Sequence, residues 1–340
     1  MSKKQNLYAL CVGVQEYHPK ASVPWLSGCE KDVDLMNTIL KELYSEVYNL
    51  YIENLLNEQA TYENIIAHFR EKHLQKEDGN SRDVILFYYS GHGSQEPAAD
   101  DFRAFFPDGQ SETLVCYDSR KKENGKVAGL DLADKELAVL LSEAEQICPH
   151  TVVILDCCHS GSGTRNIFDN EDAEEKINWN AARQTSSRKE PRLLKNYLNG
   201  YYENQLKTTG KISIPKSRHI LLGACSNIQK AFETESKKGL FTGQLARVLS
   251  RKSQISYTEL FSKTRLAMRQ ITTAQDPQFE ISNDFDAGSN FLNFGDKKEN
   301  AKYLIFYENG EWNIDCGAVH GLSVEPGKEG TFNVFERDRK

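Results

Sequence analysis

No apolar run in these 340 residues approaches the roughly 20 needed to cross a bilayer as a helix, so a helical membrane span is not expected. Positive charge is not in excess: the net charge is -7, which argues against the basic footprint of a nucleic-acid binder. The short run over residues 7–14 has no small-residue cleavage site after it and flows into polar sequence. It therefore reads as a first strand rather than a signal peptide. There is no C-x-x-C pair, and the neighbours Cys157, Cys158 and His159 cannot easily converge on one ion, so no metal site is expected. No G-x-S-x-G turn is present, which removes the usual elbow for a serine hydrolase acting through Ser90 or Ser162. Internal repeats are also missing. With these classes set aside and no export signal, the expected setting of the eight cysteines is a reducing, cytoplasmic one.

What is present is an alternation of strand and helix patterns. Residues 7–14, 46–51, 84–89, 151–155 and 219–224 read as strands. Helical spacing runs through residues 27–43 (Val33, Met36, Ile39, Leu40, Leu43), 61–74, 132–145, 240–249 and 257–270. Asp131 is the expected N-cap of the third helix, and Ser256 with Glu259 makes a capping box for the last. The continuous apolar strands imply burial on both faces, as in a parallel sheet. Residues 165–217 break the rhythm with a long, basic, Asn-rich stretch, expected to be a linker. From residue 297 onward, Tyr303–Tyr307, the Asn309-Gly310 turn and Trp312–Ile314 read as a hairpin in a small β segment. The expected organisation is thus residues 1–296 as one α/β domain, with 165–217 dividing it, and 297–340 as an appendix.

Two strands break abruptly into reactive tips. Phe87-Tyr88-Tyr89-Ser90-Gly91-His92-Gly93 offers an imidazole, and Val152-Val153-Ile154-Leu155-Asp156-Cys157-Cys158-His159-Ser160-Gly161 offers a thiol. In open α/β sheets, chemistry gathers at the carboxyl ends of such strands. A thiol with an ordinary pKa of about 8.5 becomes a better nucleophile beside a histidine, so the pair points to a cysteine hydrolase. Taken alone, His92 would read as a satisfied loop histidine, and Cys157 reads as core packing because side chains alternate at a strand end. Asp32 alone reads as a helix first-turn acid, and Asp156 as a loop cap.

The order of these motifs resembles the caspase-like cysteine peptidases, and more closely the metacaspases. The matching residues are Gly28-Cys29-Glu30-Lys31-Asp32, Tyr89-Ser90-Gly91-His92-Gly93, Asp156-Cys157-Cys158-His159-Ser160-Gly161, and Leu221-Leu222-Gly223-Ala224-Cys225-Ser226 with Gly239-Leu240-Phe241-Thr242. The resemblance implies a three-layer α/β sandwich with a mostly parallel sheet flanked by helices. It also implies His92 as general base, Cys158 as nucleophile, and backbone N–H groups near Gly93 and Cys158 as the oxyanion hole. Asp32 and Asp156, with Cys29 and Ser90 as walls, would line the specificity pocket. Two carboxylates facing one cavity favour a cation, so protein or peptide substrates with Arg or Lys before the scissile bond are expected. Many metacaspases are activated by calcium. Here Arg165 stands where an acid would follow the nucleophile, while Ser111 and Lys135 interrupt the acidic pairs around Asp108, Glu112, Asp118, Asp131 and Asp134, so no cofactor is expected and calcium dependence is not. The basic residues Arg183, Arg188 and Lys189 are candidate self-cleavage sites. The rival reading is a catalytically silent scaffold presenting the linker or appendix to a regulatory protein partner.

Overall fold

The structure is a computed structural model that describes residues 4–74, 83–124, 126–158, 170, 173, 175–226, 229–251, 254–282, 285–292, 305–308 and 311–314. In chain order the elements are β1 (Gln5–Gly13), α1 (Cys29–Tyr44), β2 (Tyr48–Leu56), α2 (Tyr62–Leu74), β3 (Val84–Ser90), β4 (Gly93–Pro97) and β5 (Gln110–Leu114). Then follow α3 (Asp134–Glu145), β6 (Thr151–Asp156), β7 (Ile177–Ala182), α4 (Tyr201–Thr209), β8 (His219–Gly223), β9 (Phe232–Thr234), α5 (Leu240–Arg251), α6 (Tyr257–Arg269) and β10 (Gln278–Ile281). A backbone hairpin, β11 (Ile305–Glu308) and β12 (Glu311–Ile314), lies within the expected appendix.

Six strands form the central sheet in the order β10-β8-β6-β3-β1-β2. All neighbours are parallel except β10, which closes the edge antiparallel to β8. Strand alternation sorts the core into two layers. Leu7, Ala9, Leu86, Tyr88, Val152 and Ile154 pack with α1, α5 and α6 on one face. Leu10, Val12, Ile85, Phe87, Val153 and Leu155 pack with α2 and α3 on the other. Each fully buried side chain of this size contributes roughly 1.5–3 kcal/mol, so the two cores hold the strand ends rigidly. The α/β sandwich expected from the sequence is therefore the observed architecture.

Two expectations need correction. The third helix begins at Asp134 with Ala133 as its cap residue, and Asp131 instead pairs with Arg120 at 3.1 Å. The 165–217 stretch is not a plain linker. It carries β7 and α4, and Arg183 and Arg192 within it are buried. After His92 the chain forms the antiparallel β4–β5 pair. Among the described residues, no helix is long and apolar enough to cross a membrane.

Candidate active site

Parallel pairing of β3 with β6 sets Ser90 opposite Asp156, so the two reactive tips leave adjacent strand ends on the same side of the sheet. Gly91 at the first tip packs against a tyrosine: a Cβ there would meet the Tyr89 hydroxyl at 2.5 Å. Two tyrosines fix the His92 backbone. The Tyr17 hydroxyl accepts from His92 N at 2.9 Å, and the Tyr89 hydroxyl donates toward His92 O at 2.8 Å. The His92 ring is buried, with Nε2 2.9 Å from the Pro24 carbonyl. A carbonyl only accepts, so Nε2 carries the proton and Nδ1 keeps its lone pair. Nδ1 is buried with no hydrogen-bond partner among the described residues. Burial pushes the imidazole pKa down to about 4, so the ring is neutral near pH 7.

At the second tip, alternation turns Cys157 into the α2–α3 core and Cys158 toward the opposite layer. Both are buried, and all seven described cysteines are free thiols. Cys316, His159 and Arg165 lie outside the described residues, so the calcium argument from Arg165 has no structural counterpart.

The cleft over these tips is filled by the chain's own segment. Strand β7 runs antiparallel to β9, and Arg183 N donates to Ala231 O at 2.8 Å. The Arg183 carbonyl receives Gly93 N at 3.0 Å and Cys158 N at 3.2 Å, and Cys158 Sγ stands 3.2 Å from the same oxygen. Beyond Arg183 the chain turns along β4, with Thr185 N donating to Gly93 O at 3.1 Å and Arg188 N to Gln95 O at 2.9 Å. One segment thus runs from the β7–β9 pair across the two tips to a single bridge between Gln184 and Gly93, with Arg183 over the tips.

The Arg183 side chain enters a pocket walled by carboxylates. Nη2 lies 2.6 Å from Asp32 Oδ2 and 3.2 Å from Glu233 Oε1, while Nη1 lies 3.1 Å from Asp156 Oδ1 and donates to Ser90 Oγ at 2.9 Å. All four charged residues are fully buried. Each acid is anchored from behind. Asp32 accepts from Gly239 N at 2.9 Å, Asp156 from Thr242 N at 3.0 Å and Thr242 Oγ1 at 2.6 Å, and Glu233 from Gly28 N at 2.8 Å. Burial, with the neighbouring Asp156, raises the Asp32 pKa to about 6 even though the Arg183 guanidinium opposes the shift. Cys29 is buried in the same wall, its thiol pKa pushed up by burial. Gly239 must lack a side chain, because a Cβ there would sit 2.1 Å from Asp156 Oδ2 and 2.6 Å from Arg183 Nη1.

The geometry thus gathers His92, Gly93, Cys158, Cys29, Asp32, Ser90, Asp156 and Arg183 at one cleft. Arg188 and Lys189 stay out of the pocket: Arg188 Nη1 donates to Gly129 O at 2.9 Å, and Lys189 is exposed. Sequence reasoning missed Glu233 and Gly239. Glu233 sits in a three-residue strand with no periodic signal, whereas the Gly239-Leu240-Phe241-Thr242 match hinted at its glycine.

Residues 6–287 match the model of the caspase domain. The chain belongs to the caspase-domain family of cysteine peptidases. It is 30% identical over 158 residues to Metacaspase III c of Phaeodactylum tricornutum, covering 45% of this chain and 42% of that one. It is 31% identical over 159 residues to Metacaspase-1 of Emericella nidulans, covering 45% and 35%. The match therefore spans less than half the length of these relatives. The crystal structure of protein GSU0716 from Geobacter sulfurreducens has a similar fold, with a TM-score of 0.53 at 22% identity over 81% of this chain and 92% of that one.

Proposed function

We propose that this caspase-domain protein is a cysteine endopeptidase of metacaspase type, cleaving after Arg or Lys, and that it processes itself at the Arg183–Gln184 bond. The observation that carries the reading is the pose of Arg183: a guanidinium among three carboxylates, and a carbonyl oxygen shared by Gly93 N, Cys158 N and Cys158 Sγ. In this mechanism Cys158 gives its proton to His92, held as the Nδ1 base by its bond to Pro24 O. The thiolate attacks the Arg183 carbonyl carbon, and the two N–H groups take the developing oxyanion. Each such donor is worth roughly 3–4 kcal/mol in the transition state. His92 then protonates the Gln184 nitrogen as the C–N bond breaks, and a water deprotonated by His92 hydrolyses the thioester. Other protein substrates would present Arg or Lys to the same pocket once the segment carrying Arg183 has left it.

The proposed mechanism routes no step through calcium. The residues do not fit a divalent ion beside α3, because the Lys135 ammonium already sits there, 3.7 Å from Asp134 and 3.6 Å from Glu96, and bonded to Ser111.

Mass spectrometry of wild type and Cys158→Ala tests the reading, together with turnover of fluorogenic peptides ending in Arg, Lys or Asp, in calcium and in chelator. The expected result is a wild-type chain cut after Arg183, an intact Cys158→Ala chain, and cleavage of Arg and Lys peptides unaffected by chelator. Equal turnover by both proteins would remove Cys158 from the chemistry, and no turnover by either would leave the silent-scaffold reading.

A further inference from the structure

A second arginine of the same segment is buried in a socket of its own. Arg192 donates to Glu96 Oε2 from Nε at 3.2 Å and Nη2 at 2.9 Å, to Glu136 Oε2 at 2.9 Å, and to Asp131 O at 2.6 Å. Its guanidinium lies 4.6 Å from the Tyr197 ring centre, and the Tyr197 hydroxyl donates to Glu96 Oε1 at 2.9 Å. Buried ion pairs of this kind seldom add net stability over apolar packing of equal volume, and their attested use is to fix register. The register at stake here is that of the chain over the reactive tips.

Strand β4 links the two sites. Its first residue, Gly93, donates to the Arg183 carbonyl, and its fourth, Glu96, grips Arg192. Between those grips the segment is held along β4 by Thr185 N, by Arg188 N, and by Ser94 Oγ donating to Ser186 O at 3.1 Å. The Arg120 guanidinium reaches the Ser186 carbonyl from the other side and is tied back to Asp131. A one-residue slip of the extended chain would move every residue by about 3.3 Å and take the Arg183 carbonyl away from its two N–H donors.

We propose that the Glu96–Glu136 socket is a second arginine-binding site and that Arg192 is a positioning residue for the self-cleavage, setting which bond lies over Cys158. This rests on the self-processing reading above. Arg192 touches no reacting atom, so its loss should slow cleavage in cis without harming the catalytic groups.

The test compares wild type, Arg192→Met and Arg192→Lys as full-length chains. The first readout is the first-order rate of appearance of the chain cut after Arg183. The second, taken after each preparation has been processed to completion, is kcat/KM on a fluorogenic Arg amide that has no residues beyond the scissile bond. Arg192→Met should process at least tenfold more slowly and Arg192→Lys several-fold more slowly, with kcat/KM on the amide within twofold of wild type. Cuts displaced from Arg183 to neighbouring bonds in either variant would also support the assignment. Processing at the wild-type rate and position in either variant overturns it, as does a slowing of cis cleavage matched by an equal loss on the amide in both. A wild-type chain never cut after Arg183 would instead overturn the self-processing reading.

Discussion

Replacing Arg183 with Met in a Cys158→Ala background isolates the electrostatics of the pocket, since neither chain can then process itself. Methionine keeps an unbranched apolar stem in the channel and removes only the fork of charge. The guanidinium contacts Asp32, Asp156 and Glu233 at 2.6, 3.1 and 3.2 Å, and all three acids are fully buried. Removing one partner of such a buried cluster leaves charge uncompensated, at a cost of about 3–5 kcal/mol. For a domain of this size, about 2–4 °C of Tm per kcal/mol translates this into a fall on the order of 10 °C at pH 8. The penalty must shrink in acid. Asp32 already titrates at about 6 with the cation in place, against 3.8 in an exposed reference. Without the cation, the repulsion pushes it higher still. A raised carboxylate pKa means the folded state holds a proton that the unfolded state has lost. The destabilisation is therefore fully present above the folded value and fades as pH falls through it. Paired thermal melts at pH 8 and pH 5 should show a large deficit at the first and less than half of it at the second. A deficit under about 1 kcal/mol at pH 8, or one of equal size at both, would refute this account of the pocket.

Further outcomes follow from the same geometry. Gly239→Ala places a methyl against Asp156 and the guanidinium site, so Arg-peptide cleavage should fall by at least about a hundredfold while the fold persists, checked by kcat/KM alongside circular dichroism. Glu233→Gln with its amide oxygen at the Oε1 position keeps the bond from Gly28 N and the longer one from Ser27 N at 3.3 Å, but removes one of the two acids facing Nη2. It should weaken Arg cleavage about tenfold or more and Lys cleavage less, because a lysine ammonium cannot bridge both sides of the pocket; equal losses on paired Arg and Lys peptides would contradict that. Self-processing should decline as pH falls through about 6, where Asp32 gains a proton, while His92, held near 4, stays a base. A pH–rate profile whose acid limb lies only near 4 would move the limiting titration from Asp32 to His92.

Much of the fold was legible. Val84–Ser90 and Thr151–Asp156 are buried along their whole length, which is why their unbroken apolar runs could be read directly. Ser256 caps its helix by accepting from Glu259 N at 3.2 Å, as the local pattern required. The reactive tips and four pocket residues came from short motifs. The β7 strand and α4 did not, because their own residues are polar and their order depends on partners elsewhere. Arg192 is gripped by Glu96 and Glu136, and Tyr202 donates to Lys135 O at 2.7 Å. Asp131 carried the local signature of a helix cap, yet the pull of the Arg120 charge won it.

The amino-acid sequence alone determined the parallel sheet, the sorting of side chains into two core layers, and the placement of an imidazole and a thiol at strand ends. These follow from periodicity and steric preference within about ten residues, and such information is local. Only the tertiary structure decided which of many basic residues enters the carboxylate pocket, and that Glu233 completes it. Arg183 and Asp32 stand 151 positions apart, and Glu233 is bonded to Gly28 across 205. A buried charge settles where opposite charges converge in space, and that convergence exists only once the sheet has brought the distant segments together.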